Sequence, residues 1–284
     1  MKIYRSPDTE VQLAESISLR SMLTDHLVRG FKSGAEEGGN NNPLNPFFQT
    51  IKRSAEGFLP ELTRIAATDV DRTVSMLAGP FFTNLDYPIP TTSRGMLLPI
   101  VQLDLREISE LSGRPLGDGL LQLWCDPEWA NDQRGLVRVI PRDEICIEAM
   151  TNFDYTVHPA SSHSPIPDEL KFEPPSGVVC VFNGYRSIGL QCQTSYLLDV
   201  YGYDVPDDIL NPIVEHVERF EELTACERRL HVLGSFYPIQ YSAVDIDGDC
   251  LIEFPNWGSN GSAQVIYKLC THDEVVFWFE ESLR

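Results

Sequence analysis

Two kinds of hydrophobic rhythm run along this chain, and they change over near residue 60. Across residues 8 to 32 the apolar positions Val11, Ala14 and Ile17, then Leu23, Leu27 and Phe31, recur at helical spacing. Pro7 precedes them, and Asp8 is expected to cap the first turn. The connector A-E-E-G-G-N-N-N-P-L-N-P follows, too rich in Gly, Asn and Pro to continue a helix. A second, shorter helix is expected over residues 46 to 56. Residues 1–60 thus read as an N-terminal helical segment packed on whatever follows.

From residue 61 the apolar runs shorten and acquire turns between them. L-T-R-I-A-A-T, L-L-P-I-V-Q-L-D-L, G-L-L-Q-L-W-C and G-L-V-R-V-I are predicted strands, with S-E-L-S-G-R-P-L-G-D-G as a loop. Residues 159 to 177 hold five prolines without periodicity and read as a long surface loop. G-V-V-C-V-F, S-I-G-L-Q-C-Q-T, V-I-Y-K-L and V-V-F-W-F return to strand. One further helix is predicted over 207 to 226, where Ile209, Ile213, Val217, Phe220 and Leu223 draw a single buried stripe. The expected fold is α+β: a largely antiparallel mixed sheet core with the N-terminal helical segment and a few packing helices. Residues 61–284 form the α+β domain, and the whole is one structural unit.

Composition adds a core and removes a membrane. Of the 284 residues 42% are hydrophobic, and no apolar run approaches the ~20 residues that cross a bilayer. The start M-K-I-Y-R-S-P-D-T-E lacks a secretory pattern, so a cytoplasmic location is expected. The seven cysteines are scattered and form no C-x-x-C pair; in contexts such as V-V-C-V-F and E-I-C-I-E they read as free, buried thiols.

Charge changes the picture most. The net charge is -20, and it is lopsided. Residues 1–142 carry 15 basic and 18 acidic side chains, whereas residues 143–284 carry 7 and 24, a net of -17 in the second half. Such a field repels phosphate backbones and argues against direct nucleic-acid binding. It attracts a basic partner and speeds its arrival. The same surplus also serves solubility as a solvated face.

Motifs with chemistry are few. Asp245, Asp247 and Asp249 alternate in D-I-D-G-D, as at the start of a calcium loop. Counted from Asp245, however, position six is Cys250 and position twelve is Asn256, where glycine and a bidentate glutamate are required. The run reads instead as a hairpin turn, Asp-Gly suiting positive φ. His158 and His163 lack a third ligand at zinc spacing, and His231 reads as a hydrogen-bonded structural histidine. No nucleophile elbow, phosphate loop or dinucleotide fingerprint occurs. Cys125 stands beside Asp126 and Glu128, which raise a thiol pKa rather than lower it. No enzyme activity, cofactor or metal is therefore expected.

A longer constellation carries a resemblance. Gln102-Leu103-Asp104, Gly119-Leu120-Leu121-Gln122-Leu123 and the segment His231 to Gln240 stand in an order that resembles the YwqG-like family of bacterial proteins. The matching stretches cover roughly 75–126 and 228–284. The family's double glycine is here a single Gly79, and its Trp-Pro is Tyr87-Pro88. The resemblance implies an α+β fold and carries over no catalytic residue. Members are often encoded beside secreted polymorphic toxins, which implies an immunity protein whose partner is a cognate toxin, a basic nuclease domain above all. The alternative is a small-ligand binder or enzyme with a pocket between strands. For the toxin-binding face, acidic density selects Asp207, Asp208, Glu215, Glu218, Glu221, Glu222, Asp245, Asp247 and Asp249, with Trp257 as an aromatic anchor.

Overall fold

The computed structural model describes residues 2–15, 55–93, 95–126, 135–152, 178–191, 211, 215, 230–234, 248–257, 261–270 and 274–283. Its strands are Ile3–Tyr4 (β1), Ala55–Ala66 (β2), Met76–Leu77 (β3), Thr91–Thr92 (β4), Gly95–Met96 (β5), Leu98–Asp104 (β6), Leu120–Cys125 (β7) and Gly135–Ile140 (β8). Val178–Gln191 (β9), His231–Leu233 (β10), Asp249–Trp257 (β11), Gly261–Leu269 (β12) and Val275–Leu283 (β13) complete them. Eleven join one sheet in the order β13-β12-β11-β10-β2-β9-β3-β6-β7-β8, with β1 added to β9; β4 and β5 pair separately. Every pairing is antiparallel except β1 with β9.

The α+β expectation is overturned. Among the described residues strand predominates over helix, and the antiparallel sheet curls into a nearly closed barrel rather than lying under several packing helices. Bulges account for part of the bend: register shifts interrupt β2–β9 at Glu56/Phe58 and Glu61/Leu62, and β11–β12 at Cys250/Ile252 and Phe254/Trp257. The expected boundary at residue 60 falls inside the twelve-residue strand β2. Of the helix expected over 46 to 56, only 55 and 56 are described, and both are strand.

The end strands β8 and β13 approach one another without a hydrogen-bonded ladder among the described residues. Gly135 of β8 makes this approach possible, because a Cβ there would lie 2.5 Å from the Phe279 ring of β13. Gly135→Ala is expected to destabilise the fold by about 1–3 kcal/mol through overpacking. Phe279→Leu in the same chain should recover part of that loss in thermal melts; an additive double variant would mean the two strands do not meet.

The barrel interior is filled. Phe58, Val101, Leu103, Leu121, Leu123, Val232, Ile252, Phe254 and Val265 form its core. A second layer covers β6, β7 and β9 from outside, where Met76, Phe81, Leu97, Trp124, Val179 and Val181 pack with Val70, Val74 and Ile89. Burial on both faces explains why β6 and β7 read as near-continuous apolar runs.

Two helices are described over continuous runs. The first, α1, covers residues 7–15 and is capped by Ser6 rather than Asp8: the Ser6 hydroxyl accepts from the Thr9 N–H at 3.1 Å, and Pro7 takes the first helical position. Gln12 of α1 seats on Gly189 of β9, whose φ of +78° and missing Cβ leave room for the carboxamide. The second, α2 (Leu105–Ser112), starts on the last residue of a predicted strand, and its second half takes the first four residues of the stretch expected to be loop. Asp104 caps it by accepting from the Arg106 N–H, and Gly113 ends it at φ 65°. In the helix predicted over 207 to 226, Asn211 and Glu215 are helical; the rest lies outside the described residues. Among the described residues no helix is long and apolar enough to cross a membrane.

Candidate functional site

Two residues of the motifs quoted above, Gln102 and Gln122, form a hydrogen-bonded row with Arg138. Gln102 on β6, Gln122 on β7 and Arg138 on β8 are register partners on the outer face of the barrel. The Gln102 amide donates to the carbonyls of Arg72 and Val74, both at 2.9 Å, while its oxygen accepts from the Phe82 N–H and from Gln122 Nε2. Gln122 also donates to the Phe82 carbonyl, and its oxygen accepts from Trp124 Nε1 and Arg138 Nε. Both carboxamides are thus saturated by the chain itself. They staple the segment around 72–82 onto the sheet and present nothing to a ligand.

Arg138 extends the staple. Its guanidinium donates to the Pro88 carbonyl at 2.7 Å and lies over the Trp124 and Tyr87 rings. Burial lowers its pKa to about 10. Arg72 does the same work for the 80–83 segment, donating to the carbonyls of Pro80, Phe81 and Thr151 and to the Thr83 hydroxyl. At the double-glycine position, Ala78 holds φ 48° ahead of Gly79, a left-handed conformation that glycine adopts more readily.

Other polar clusters also hold elements together. The Glu107 carboxylate of α2 accepts from the Ser75 and Tyr185 hydroxyls, and the Ser75 oxygen takes the Asp104 N–H. Arg142 donates to the Asp104 carboxylate at 2.6 Å. His231, fully buried, faces Glu253 across β10 and β11 with Nε2 and Oε2 3.4 Å apart, as befits a structural histidine. His158 and His163 lie outside the described residues. Among those described, no three His, Cys, Asp or Glu side chains gather as a metal site would require.

The thiols divide. Cys125 and Cys250 are buried, but Cys146 of E-I-C-I-E is exposed, contrary to the expectation of burial. Burial, then Glu281 and Asp126, push the Cys125 thiol well above its ordinary value of 9. Burial likewise raises Tyr185, and raises Tyr267 from 10 to about 12. All three groups keep their protons longer folded than unfolded, so stability is fully present below pH 9 and declines as pH rises from 9 towards 12. Arg138, with its pKa lowered, acts with the opposite sign above pH 10, one group against these three and Tyr87, which its bond to Glu144 also raises. Melting temperatures should therefore fall across this range, and Tyr267→Phe should flatten the slope above pH 10; a flat wild-type profile would contradict the burial of these groups.

The acidic residues selected from the sequence do not assemble into one described face. Asp207, Asp208, Glu218, Glu221, Glu222, Asp245 and Asp247 lie outside the described residues, and with them most of the expected D-I-D-G-D turn. Glu215 is exposed. Asp249 opens β11, and its carboxylate is engaged by Arg114, which also donates to the Tyr267 hydroxyl. Trp257, chosen as an anchor, is 1% exposed and belongs to the barrel core.

A different acidic surface is assembled by two neighbouring turns. In N-L-D-Y, the Asn84 side-chain oxygen accepts from the N–H groups of Asp86 and Tyr87, at 3.0 and 2.7 Å, and this Asx turn thrusts Leu85 outward to 87% exposure. Beside it run the 3-10 turns Arg142–Glu144 and Ile147–Ala149. The segments are joined by the Thr151 N–H to the Thr83 carbonyl, by the paired hydroxyls of those threonines, and by Asn84 to the Glu144 carbonyl. The Tyr87 hydroxyl bonds the Glu144 carboxylate, which raises its pKa. Tyr87, Ile145 and Met150 turn inward onto Phe82, Leu120 and Ile140, whereas Ile147 points out at 58% exposure. Asp86, Asp143, Glu144 and Glu148 are all exposed around the two apolar tips. Acidic density in the sequence did not select this ledge; its signal was an apolar residue set between Asn84 and Asp86 in a turn.

No family model matches the chain, and no curated protein matches it.

Proposed function

We propose that this protein is a stoichiometric inhibitor of a basic protein, acting as an immunity protein against a toxin such as a nuclease domain, as its YwqG-like motifs suggest. The observation that carries this reading is where its charges go. Arg72, Arg114, Arg138 and Arg142 are half-buried and bonded to carbonyls or carboxylates, which leaves Lys2, Arg5, Arg64, Arg106, Arg186 and Lys268 as the exposed cations among the described residues. Asp69, Asp71, Asp86, Glu110, Asp118, Asp143, Glu144, Glu148 and Glu274 are exposed. A surface with this imbalance, on a chain of net charge -20, steers and orients a cationic partner.

Co-expression with the toxin candidate encoded beside its gene tests the reading. Growth should be rescued and a complex should survive gel filtration; failure of both sinks the proposal. Where a complex forms, raising salt from ~0.1 to ~1 M shortens the screening length from about 10 to about 3 Å. Association should then slow by about tenfold or more while dissociation changes little, since steering is long-range.

A further inference from the structure

We infer that the partner docks on the ledge formed by the 84–87 turn and the 142–149 turns, with Leu85 and Ile147 as its apolar anchors. This deepens the inhibitor reading and rests on it for the identity of the partner, though not for the chemistry of the surface. Three observations converge here. Leu85 is the most exposed large hydrophobic side chain among the described residues, and Ile147 ranks next. Both stand on turns fixed from beneath, by the Asn84 Asx turn, the Thr83–Thr151 bonds and the Arg72 guanidinium. The ledge is therefore preorganised, and docking need not order it.

The charges around the anchors determine the occupant. Asp86, Asp143, Glu144 and Glu148 are exposed, and the Glu148 carboxyl is held below its ordinary value by a bond from its own backbone and by Cys146. The one cation within these turns, Arg142, is turned away to Asp104 and to the Asp118 carbonyl. A second copy of this chain would bring acid against acid, and an anionic lipid surface would be repelled. The surface fits a protein with apolar pockets rimmed by Lys and Arg, so that each anchor is desolvated inside a ring of charge pairs.

A dye-labelled Lys/Leu peptide and a Lys/Ser peptide of equal charge, read by fluorescence anisotropy against the full chain, test this without the toxin. The Lys/Leu peptide should bind more tightly. The double variant Leu85→Ser, Ile147→Ser should lose that advantage, about tenfold or more in Kd if the two residues act as anchors. Asp143→Asn with Glu148→Gln should weaken both peptides, while Asp69→Asn with Asp71→Asn should weaken neither. Unchanged melting temperatures would show that each variant is folded. A Leu85/Ile147 double variant that binds the Lys/Leu peptide as tightly as the wild type, losses from the Asp69/Asp71 variant equal to those from the Asp143/Glu148 variant, or a wild-type dimer in sedimentation that the Leu85/Ile147 variant dissolves would each overturn the inference. In co-expression, a wild type that rescues growth beside a Leu85/Ile147 variant that also rescues would remove the ledge and leave the inhibitor reading. A wild type that fails to rescue, with the peptide results as expected, would remove the inhibitor reading and leave the ledge.

Discussion

Gln122→Leu should lower the melting temperature by about 10 °C. Leucine is close in volume, so the effect is one of hydrogen bonding rather than of space. The substitution removes the donor to the Phe82 carbonyl and to Gln102, and the acceptor for Trp124 Nε1 and Arg138 Nε. Gln122 is fully buried, so water cannot replace these bonds. At about 1–3 kcal/mol for each buried group left without its partner, the sum is about 4 kcal/mol. For a domain of this size about 2–4 °C of melting temperature is lost per kcal/mol, which gives the expected shift. Gln122→Glu keeps the acceptor for Trp124 and Arg138 but turns a carboxylate towards the Phe82 carbonyl and Gln102, so it too should destabilise. A Gln122→Leu variant that melts like the wild type would mean that the glutamine row serves something other than the fold.

That row also shows what the sequence carried and what it did not. Gln102 and Gln122 could be singled out from the chain because they stand in the motifs that carry the family resemblance. Their partners could not, since those are mainly backbone groups of residues 72–82 brought over the sheet by tertiary packing. The strands β6, β7, β8, β12 and β13 were legible as apolar runs of strand length. Barrel closure was not, because it depends on bulges and on the Gly135–Phe279 approach, which leave no periodic trace. The helix α2 was hidden because L-R-E-I-S-E-L-S follows a strand with no break. Its signal was nonetheless present, an aspartate cap at Asp104 and a left-handed glycine at Gly113. The acidic half-chain drew attention to the regions of highest charge density. The ledge depends instead on which side chains a turn throws outward, and Asn84 decides that through two backbone hydrogen bonds.

Trp257→Ala, the second large effect, separates the role the sequence suggested from the one the fold gives. The indole packs against Phe254 and Phe279, with ring centres 5.5 and 5.6 Å away, and donates its N–H to Glu281 at 2.8 Å. Truncation empties that space and withdraws a donor from the half-buried Glu281 carboxylate, at a cost of about 4 kcal/mol. The melting temperature should again drop by about 10 °C. Trp257→Phe keeps an aromatic ring between the two phenylalanines but not the bond to Glu281, and should fall between the wild type and the alanine variant. Capture of the cationic Lys/Leu peptide, measured below the variants' unfolding transition, should be unchanged in both. The opposite pattern, a normal melt with lost capture, would place Trp257 at a binding surface. An aromatic beside an acidic run is ambiguous in sequence because a core anchor and an interface anchor use the same side chain. Only the neighbours decide, and here they are the Phe254 and Phe279 rings and a part-buried bond to Glu281 of β13.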